Sequence, residues 1–239
     1  MGTVVTALAL AGAAGSGERV AEITVIVLAG LVVAVGWPRL VGSPTPAGSS
    51  VVLGITALAV GGALLVQGSE PFLEQVPAAI AAGVIAMCLH PLVQETARAD
   101  LARGLAGTAL GVVLIACGGL FTSTVPHGAG PVVVAGVALA VPALVDLLTE
   151  RPRVVRWMLP AGMLVGGLAA VGAHWLLDGE AVSWPALVGV VGAGAAVALR
   201  RATTQQPAIE GAPGAIAAGA ASVLLVGPLL HLVSRLPLA

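Results

Sequence analysis

The stretch IAMCLHPLVQETARADLARG comes closest, by residue type and spacing, to a chemical site in this sequence. It gathers an imidazole, two carboxylates and two guanidinium groups: His90, Glu95, Arg98, Asp100 and Arg103. Each acid lies three residues before an arginine, a spacing that puts both groups on one helix face. The stretch therefore predicts either a self-neutralised connection between helices or a site where His90 and Glu95 exchange protons or bind a substrate headgroup.

A second pair of acids, Asp146 and Glu150, lies four residues apart before the basic run RPRVVR. Glu150 can pair with Arg153, whereas two leucines separate Asp146 from that run. An acid close to the hydrocarbon of a membrane is costly and is more often functional than a surface acid. Asp146 is therefore the first candidate for a functional acid, with an interfacial ion pair as the alternative.

His174 and Asp178 form a third pair, four residues apart on one helix face. With His127 and His231 on the same predicted side, they raise the question of a metal or proton site. No HxxxH or HxH pair is present, so the alternative is that these histidines are interfacial caps of amphipathic helix ends. We predict no metal site, no cofactor and no catalytic residue. The candidates for a polar path are Asp146, Glu150, His90, Glu95, His174 and Asp178.

The composition of the chain restricts the elements that can position these residues. Of its 239 residues, 58% are hydrophobic and 9% are charged, against about 25% charged in soluble domains. A lipid bilayer is the solvent that tolerates such a surface. A net charge of −1 and the absence of an aromatic stacking platform argue against a nucleic-acid partner. No Walker A, HExxH or GxSxG motif is present, so we do not expect an enzyme.

Eight apolar runs of about 15 to 20 residues predict helices of about 22–30 Å, close to the thickness of the hydrocarbon. Backbone groups in lipid must be satisfied within each segment, so the runs are helices. They cover residues 20–37, 49–67, 76–93, 104–121, 131–147, 157–176, 185–199 and 213–232. The predicted fold is all-α, a polytopic transmembrane helix bundle that forms a single domain over residues 20–239.

Residues 1–19 are predicted to lie on the outer face of the membrane. Their apolar part, residues 3–14, is too short to span a bilayer by itself. Three interpretations stay open: a short helix on the outer face, an extension of the first span, or a ninth span. A ninth span would place the amino terminus inside.

The loops between the spans alternate in charge. The first, third, fifth and seventh connections carry eight of the ten arginines, and the other three connections carry none. We call the first group the arginine-rich end of the bundle and the opposite side the arginine-poor end. Short loops rich in arginine stay cytoplasmic. Eight spans then predict a multi-pass protein of the plasma membrane with both termini outside.

The centres of alternate spans recur about every 54 residues, which predicts four tandem helical hairpins. GxxxG pairs at Gly107/Gly111 and Gly162/Gly166 lie on two of the returning spans. Glycines four residues apart let helix backbones approach closely. We predict that these four glycines pack helices within the bundle, with contact to a second copy or to other membrane subunits as the alternative.

The sequence resembles a group of small multi-pass membrane proteins of actinobacteria. The resemblance rests on GWPRL after the first span, HPLVQE at the end of the third and RGLAGTALGVVL after the arginine-bearing loop. Members of that group are described as hypothetical membrane proteins or permeases. The resemblance implies a permease and assigns no residue a role.

Three functions follow as hypotheses. The first is a permease-like integral membrane protein, or the membrane subunit of a transport system, because semi-buried acids and histidines lie among the spans. The alternative is a non-catalytic scaffold or accessory subunit that docks other membrane proteins through glycine-rich helix faces. The third is a lipid-modifying enzyme that uses a headgroup-level cluster of His90, Glu150, Arg153 and Arg156.

Overall fold

The computed structural model describes residues 1–66, 73–93, 98–148, 157–177, 183–206 and 211–235. Within these ranges the chain is entirely helical, without a strand. The α-helices are α1 (Gly2–Gly15), α2 (Arg19–Leu40), α3 (Pro46–Val66), α4 (Val76–Val93), α5 (Arg98–Gly119), α6 (Gly130–Leu148), α7 (Met158–Leu176), α8 (Ser183–Thr204), α9 (Ala212–Leu224) and α10 (Gly227–Val233). A 3₁₀ helix, Leu120–His127, continues α5. The all-α prediction is confirmed.

Six described helical segments are long and apolar enough to cross a membrane. They are Arg19–Leu40, Pro46–Val66, Asp100–Thr124, Met158–Leu176, Ser183–Thr204 and Ala212–Val233. The predicted spans 76–93 and 131–147 coincide with α4 and α6, whose apolar parts are shorter. Large aliphatic side chains cover the outside of the bundle; Leu28, Leu58 and Leu168 are 55%, 58% and 74% exposed. This surface and these six helices indicate a multi-pass membrane protein.

Glycines in the left-handed region allow the chain to reverse at both ends of α2. Gly17 has a φ of +72° in the turn between α1 and α2. Gly42 has a φ of +66° just after α2, and its N–H donates to the carbonyl of Arg39 at 3.2 Å. A glycine adopts this conformation without the steric penalty of a Cβ, and it satisfies a carbonyl that the helix end leaves free.

The buried residues form two main cores that share α2 and α9. The first core packs α2 and α3 against α5 and α9, around side chains such as Val33, Leu53 and Ile115. The second packs α1, α6 and α8 around the 3₁₀ helix and α10, with Phe121 fully buried. A smaller cluster joins α6 to α7. Helices α2 and α9 therefore stand between the two halves of the bundle.

The pairing of helices does not follow the four predicted hairpins in a simple way. Helices α2 and α3 pack closely, as do α6 and α7, in agreement with two of those hairpins. The most extensive pairing is nevertheless between α7 and α8, and α2 packs on α9 as closely as on its hairpin partner. The eight spans and the four hairpins stay predictions.

Contacts between helix ends assign the loops to two sides of the bundle. At one end the guanidinium of Arg19 donates to the carbonyl of Leu64 at 2.6 Å, which joins the start of α2 to the end of α3. At the other end Gly36 lies directly against Pro213 at the start of α9. The end of α2, which carries Arg39, therefore lies beside the junction of α8 and α9, close in sequence to Arg200 and Arg201.

Trp37 occupies a different environment from the lipid interface that its position at a span end suggests. It is 1% exposed, and its indole N–H donates to the carbonyl of Gly107 at 3.1 Å. Trp157 and Trp175, by contrast, are 60% and 62% exposed. The smallness of Gly111 on α5 leaves room for the indole ring, since a Cβ there would lie 3.2 Å from the ring.

Helix α1 is separate from α2 and is embedded in the bundle. The side chains of Ala7 and Leu10 in this helix are buried, and the helix packs mainly on α6 and α9. Its first residue, Gly2, lies against Ile216 in the first turns of α9, and Gly15 at its other end faces Val133. Helix α1 therefore runs antiparallel to α2 over most of the depth that α2 crosses.

The last span is interrupted between α9 and α10. Pro228 lies in the first turn of α10 and provides no backbone N–H to continue the ladder of α9. The residue before it, Gly227, contacts α5. The carbonyl oxygen of Cys117 occupies the space that a Cβ on Gly227 would fill. Helix α10 also packs on the 3₁₀ helix that ends α5.

The four glycines of the GxxxG pairs face neighbouring helices of the same chain. A Cβ at Gly107 would lie 2.7 Å from the side chain of Val41, and one at Gly111 would lie 2.8 Å from that of Leu53. A Cβ at Gly162 would lie 2.9 Å from Val197, and one at Gly166 would lie 2.8 Å from the carbonyl oxygen of Gly189. Real Cβ contacts do not fall below 3.0 Å, so helix α7 packs on α8 at backbone distance.

We predict opposite effects for two alanine substitutions on α7. Gly166→Ala should lower the free energy of unfolding by about 1–3 kcal/mol, because the added methyl meets backbone carbonyls that cannot rotate away. Gly172→Ala, with nothing within 4 Å of its Cβ position, should be neutral or stabilise by up to about 1 kcal/mol. Titration of SDS into detergent micelles, followed by tryptophan fluorescence, measures the free energy of unfolding of each variant. Equal effects of the two substitutions would contradict the close packing of α7 on α8 at Gly166.

Candidate functional site

A polar cavity opens at the arginine-rich end between α3, α4 and α5. It is formed by the loop before α3, the first turns of α3 and α5 and the last turns of α4. Its volume is about 20 Å³, close to the space of one water molecule. The polar lining residues are Thr45, Ser49, His90, Asp100 and Thr108. We call this the His90 cavity.

Two hydroxyl groups in the wall of the His90 cavity, those of Ser49 and Thr108, form a hydrogen-bonded chain with the hydroxyl of Ser43 beside it. The Ser49 hydroxyl lies 3.0 Å from that of Ser43 and 3.1 Å from that of Thr108. Thr108 is also 2.8 Å from the carbonyl oxygen of Gly104, the residue one helical turn before it. Hydroxyls can both donate and accept, so this chain can relay a proton or solvate a polar ligand.

His90 is held against the backbone of α3. Its imidazole occupies the space where a Cβ on Gly48 would stand, so only glycine at residue 48 allows this position. The Nε2 atom is buried and has no hydrogen-bond partner among the described residues. A buried nitrogen without a partner loses hydration without compensation, and it is available to a ligand if the packing loosens.

Asp100 lies in the first turn of α5, where the helix dipole favours a negative charge. It is half-buried and lines the His90 cavity, whereas Arg103 is exposed. In the part of the chain that the structure describes, no ion pair joins Asp100 to Arg103. Asp100 is therefore a half-buried acid in the wall of the cavity. Glu95 lies outside the described residues, and for Arg98 the structure describes the helical position only.

The remaining polar candidates lie apart from the His90 cavity. His174 packs edge-on against Trp184, with ring centroids 4.9 Å apart, and its Nε2 is buried without a partner in the described structure. Asp146 belongs to the last turn of α6, and the structure describes this helical position only. Glu150 and Asp178 lie outside the described residues, as do Arg153 and Arg156 of the hypothetical lipid-modifying cluster.

A second polar cavity lies at the arginine-poor end and contains a buried acid that the sequence reasoning missed. Its lining includes Glu18 and Arg19 at the start of α2, Glu22 one turn later, and the segment Gly128–Ala129 before α6. We call this the Glu22 cavity; its volume is about 120 Å³. In the sequence GERVAEI, Glu22 resembles part of a water-facing helix end, although its spacing from Arg19 puts the two residues on one face.

Neither cavity has the ligands of a multidentate metal site. Among the described residues, no group of three or more His, Cys, Asp or Glu side chains converges. The two cavities instead offer single carboxylates, hydroxyls and an imidazole. These groups suit protons, small cations and neutral polar solutes.

Comparison with known proteins adds no assignment, since no family model, curated protein or solved structure matches this chain.

The contact between Gly48 and His90 gives a chemical prediction. Gly48→Ala should displace the imidazole and expose Nε2, so that diethylpyrocarbonate modifies His90 several-fold faster than in the native protein. Gly54→Ala is the control, because on the same helix nothing lies within 4 Å of its Cβ position. Mass spectrometry of the peptide that contains residue 90 measures the rate. Unchanged protection in Gly48→Ala would contradict the position of His90.

Proposed function

We propose that this chain is a permease-like integral membrane protein, or the membrane subunit of a transport system, for a small polar solute or ion. The observation that carries the proposal is that polar cavities indent an otherwise apolar bundle from both ends. Polar and ionisable groups are costly within a membrane and mark pathways when they line cavities there. The His90 cavity and the Glu22 cavity have that character.

Between the two cavities the helices are closely packed. Along α3, Val52 lines the His90 cavity, whereas the carbonyl of Leu64 meets Arg19 of the Glu22 cavity. The two positions are about 18 Å apart at 1.5 Å per residue. Over that distance Gly30 packs on Ala57 and Gly61 packs on Val27. Such a bundle supports a closed state in which neither end is connected to the other, as alternating access requires.

The helix interruptions support the same proposal. The last span breaks before Gly227, and α5 changes to a 3₁₀ helix at Leu120. Non-helical backbone at membrane depth is tolerated where it is buried in protein or lines a cavity, and transporters use such breaks in their substrate sites. In this chain the two breaks lie against each other.

The test is electrical measurement on proteoliposomes adsorbed to a solid support, with rapid jumps in the concentration of cations, amines, amino acids or sugars. We expect a current or a solute-dependent charge displacement for one of these classes. Asp100→Asn should reduce it at least about tenfold, as expected when a charge that interacts with the passing ligand is removed. Asp146→Asn should also reduce the current, because Asp146 at the end of α6 is the second acid proposed to interact with the transported solute.

Glu74→Gln is the matched control, because Glu74 is an exposed acid at the arginine-poor end that lines neither cavity. Its currents should equal those of the native protein. The absence of any response to all four classes, together with co-purification of a stoichiometric membrane partner, would favour the scaffold alternative instead.

We also infer that α1 is a ninth crossing, with the amino terminus on the arginine-rich side. The support is that Gly2 and Gly219 meet backbone to backbone near the middle of α9, while Gly15 lies beside the start of α6. A helix of 14 residues spans about 21 Å, which suffices for a partly buried crossing in a locally thinned bilayer.

Side-specific labelling tests this topology. In a background without Cys88 and Cys117, an amino-terminal epitope tag should be accessible from the same side as Ser43→Cys and from the opposite side to Glu74→Cys. The two loop positions also test the alternation of the arginine-bearing loops. A tag on the side of residue 74 would instead place α1 on the outer face.

A further inference from the structure

The carboxylate of Glu22 is buried inside the helix bundle. It is 6% exposed, and its Oε1 atom has no hydrogen-bond partner among the described residues. It lines a cavity of about 120 Å³, which is the liquid volume of about four water molecules. The cavity is therefore large enough for an ion with part of its hydration shell.

A bare carboxylate in such a place is unfavourable. Removing a charge from water costs several kcal/mol unless another charge or a set of hydrogen bonds compensates it. The amino-terminal end of α2 gives partial compensation, since Glu22 lies in the first turn. Arg19 lies one turn away on the same face, and its guanidinium donates at 2.6 Å to the carbonyl of Leu64 on α3.

The charges around the cavity decide what can bind there. Among the residues that the structure describes, the titratable side chains in the lining are Glu18, Arg19 and Glu22, while α1 and the segment before α6 contribute Ala14, Gly17, Gly128 and Ala129. Two carboxylates and one guanidinium leave one net negative charge. A monovalent cation would neutralise it, whereas a divalent cation would leave an excess of positive charge close to Arg19.

We propose that the Glu22 cavity binds a small monovalent cation, coordinated by the carboxylate of Glu22 and by water, with Glu18 at the mouth. Oxygen ligands are those that hard cations prefer. The binding site lies at the junction of α1, α2 and the segment that precedes α6. An occupied site therefore ties together helices from both buried cores and stabilises the folded bundle.

This inference is independent of the transport proposal. Cation binding at Glu22 is measured on the purified protein without any flux, and a purely structural ion would give the same result. Failure of the flux experiment therefore leaves the cation site standing, and failure of the binding experiment leaves the His90 cavity as a candidate path.

The experiment measures thermal unfolding in detergent, with sodium chloride titrated against choline chloride at constant ionic strength. We expect the unfolding temperature to rise by about 2–4 °C once sodium exceeds its dissociation constant several-fold, and to continue to rise with the logarithm of the sodium concentration. Glu22→Gln should abolish this rise. In choline alone the variant should be at least as stable as the native protein, because a buried charge that is only partly compensated has been replaced by a neutral amide.

Two further variants separate a site from a general effect of charge. Glu74→Gln removes an exposed acid at the same end and should keep the full sodium response. Ala129→Leu narrows the cavity without changing its charge and should weaken the response. The proposal is overturned if the native protein shows no difference between sodium and choline, or if Glu22→Gln retains the sodium response.

Discussion

Close approach of helix backbones at glycine is the constraint on which this bundle depends. Lipid is as apolar as the helix surfaces, so burial of apolar area gives little drive for association within a membrane. Dispersion between atoms at short range takes its place, and it falls steeply with separation. Gly166 against Gly189, Gly36 against Pro213 and Gly219 against Gly2 all bring backbone onto backbone. At each of these contacts one methyl group would force the helices apart.

The same close packing restricts where polar groups can lie. The centres of the helices are joined through glycine, alanine and valine, and the described ionisable side chains that line cavities lie towards the ends of the bundle. His90 and Asp100 occupy that space at the arginine-rich end, and Glu22 occupies it at the other. Thr56, which lies between these levels, satisfies its hydroxyl on the carbonyl of Val52 in its own helix.

Much of the architecture was predictable from hydrophobicity, because lipid permits few alternatives to the helix. The span predicted over 20–37 matches α2, and the run at 213–232 matches α9 and α10. The choice of helix neighbours was not predictable, since glycine and alanine occur on several faces of each helix. Equal spacing along the chain suggested hairpins, but it carries no information on whether α2 packs on α9.

The site residues show the same limit. The sequence identified His90 and the acids around it, and the structure brings His90 and Asp100 to one cavity. Ser49 and Thr108 join them from other helices, which requires knowledge of tertiary contacts. Glu22 was missed for a related reason: beside Glu18 and Arg19 it resembles a solvated helix end, and its burial arises from α1 and the segment before α6.

The meeting of Gly227 with the carbonyl of Cys117 has a consequence for the length of the last span. Because that oxygen fills the space of a side chain, the carboxyl-terminal helix cannot slide along α5 by a single residue without driving Val226 or the ring of Pro228 into it. The number of residues from Pro213 to Gly227 is therefore fixed by two backbone contacts, that of Pro213 with Gly36 and that of Gly227 with Cys117. Insertions or deletions are tolerable in the surface connections but not between Pro213 and Gly227.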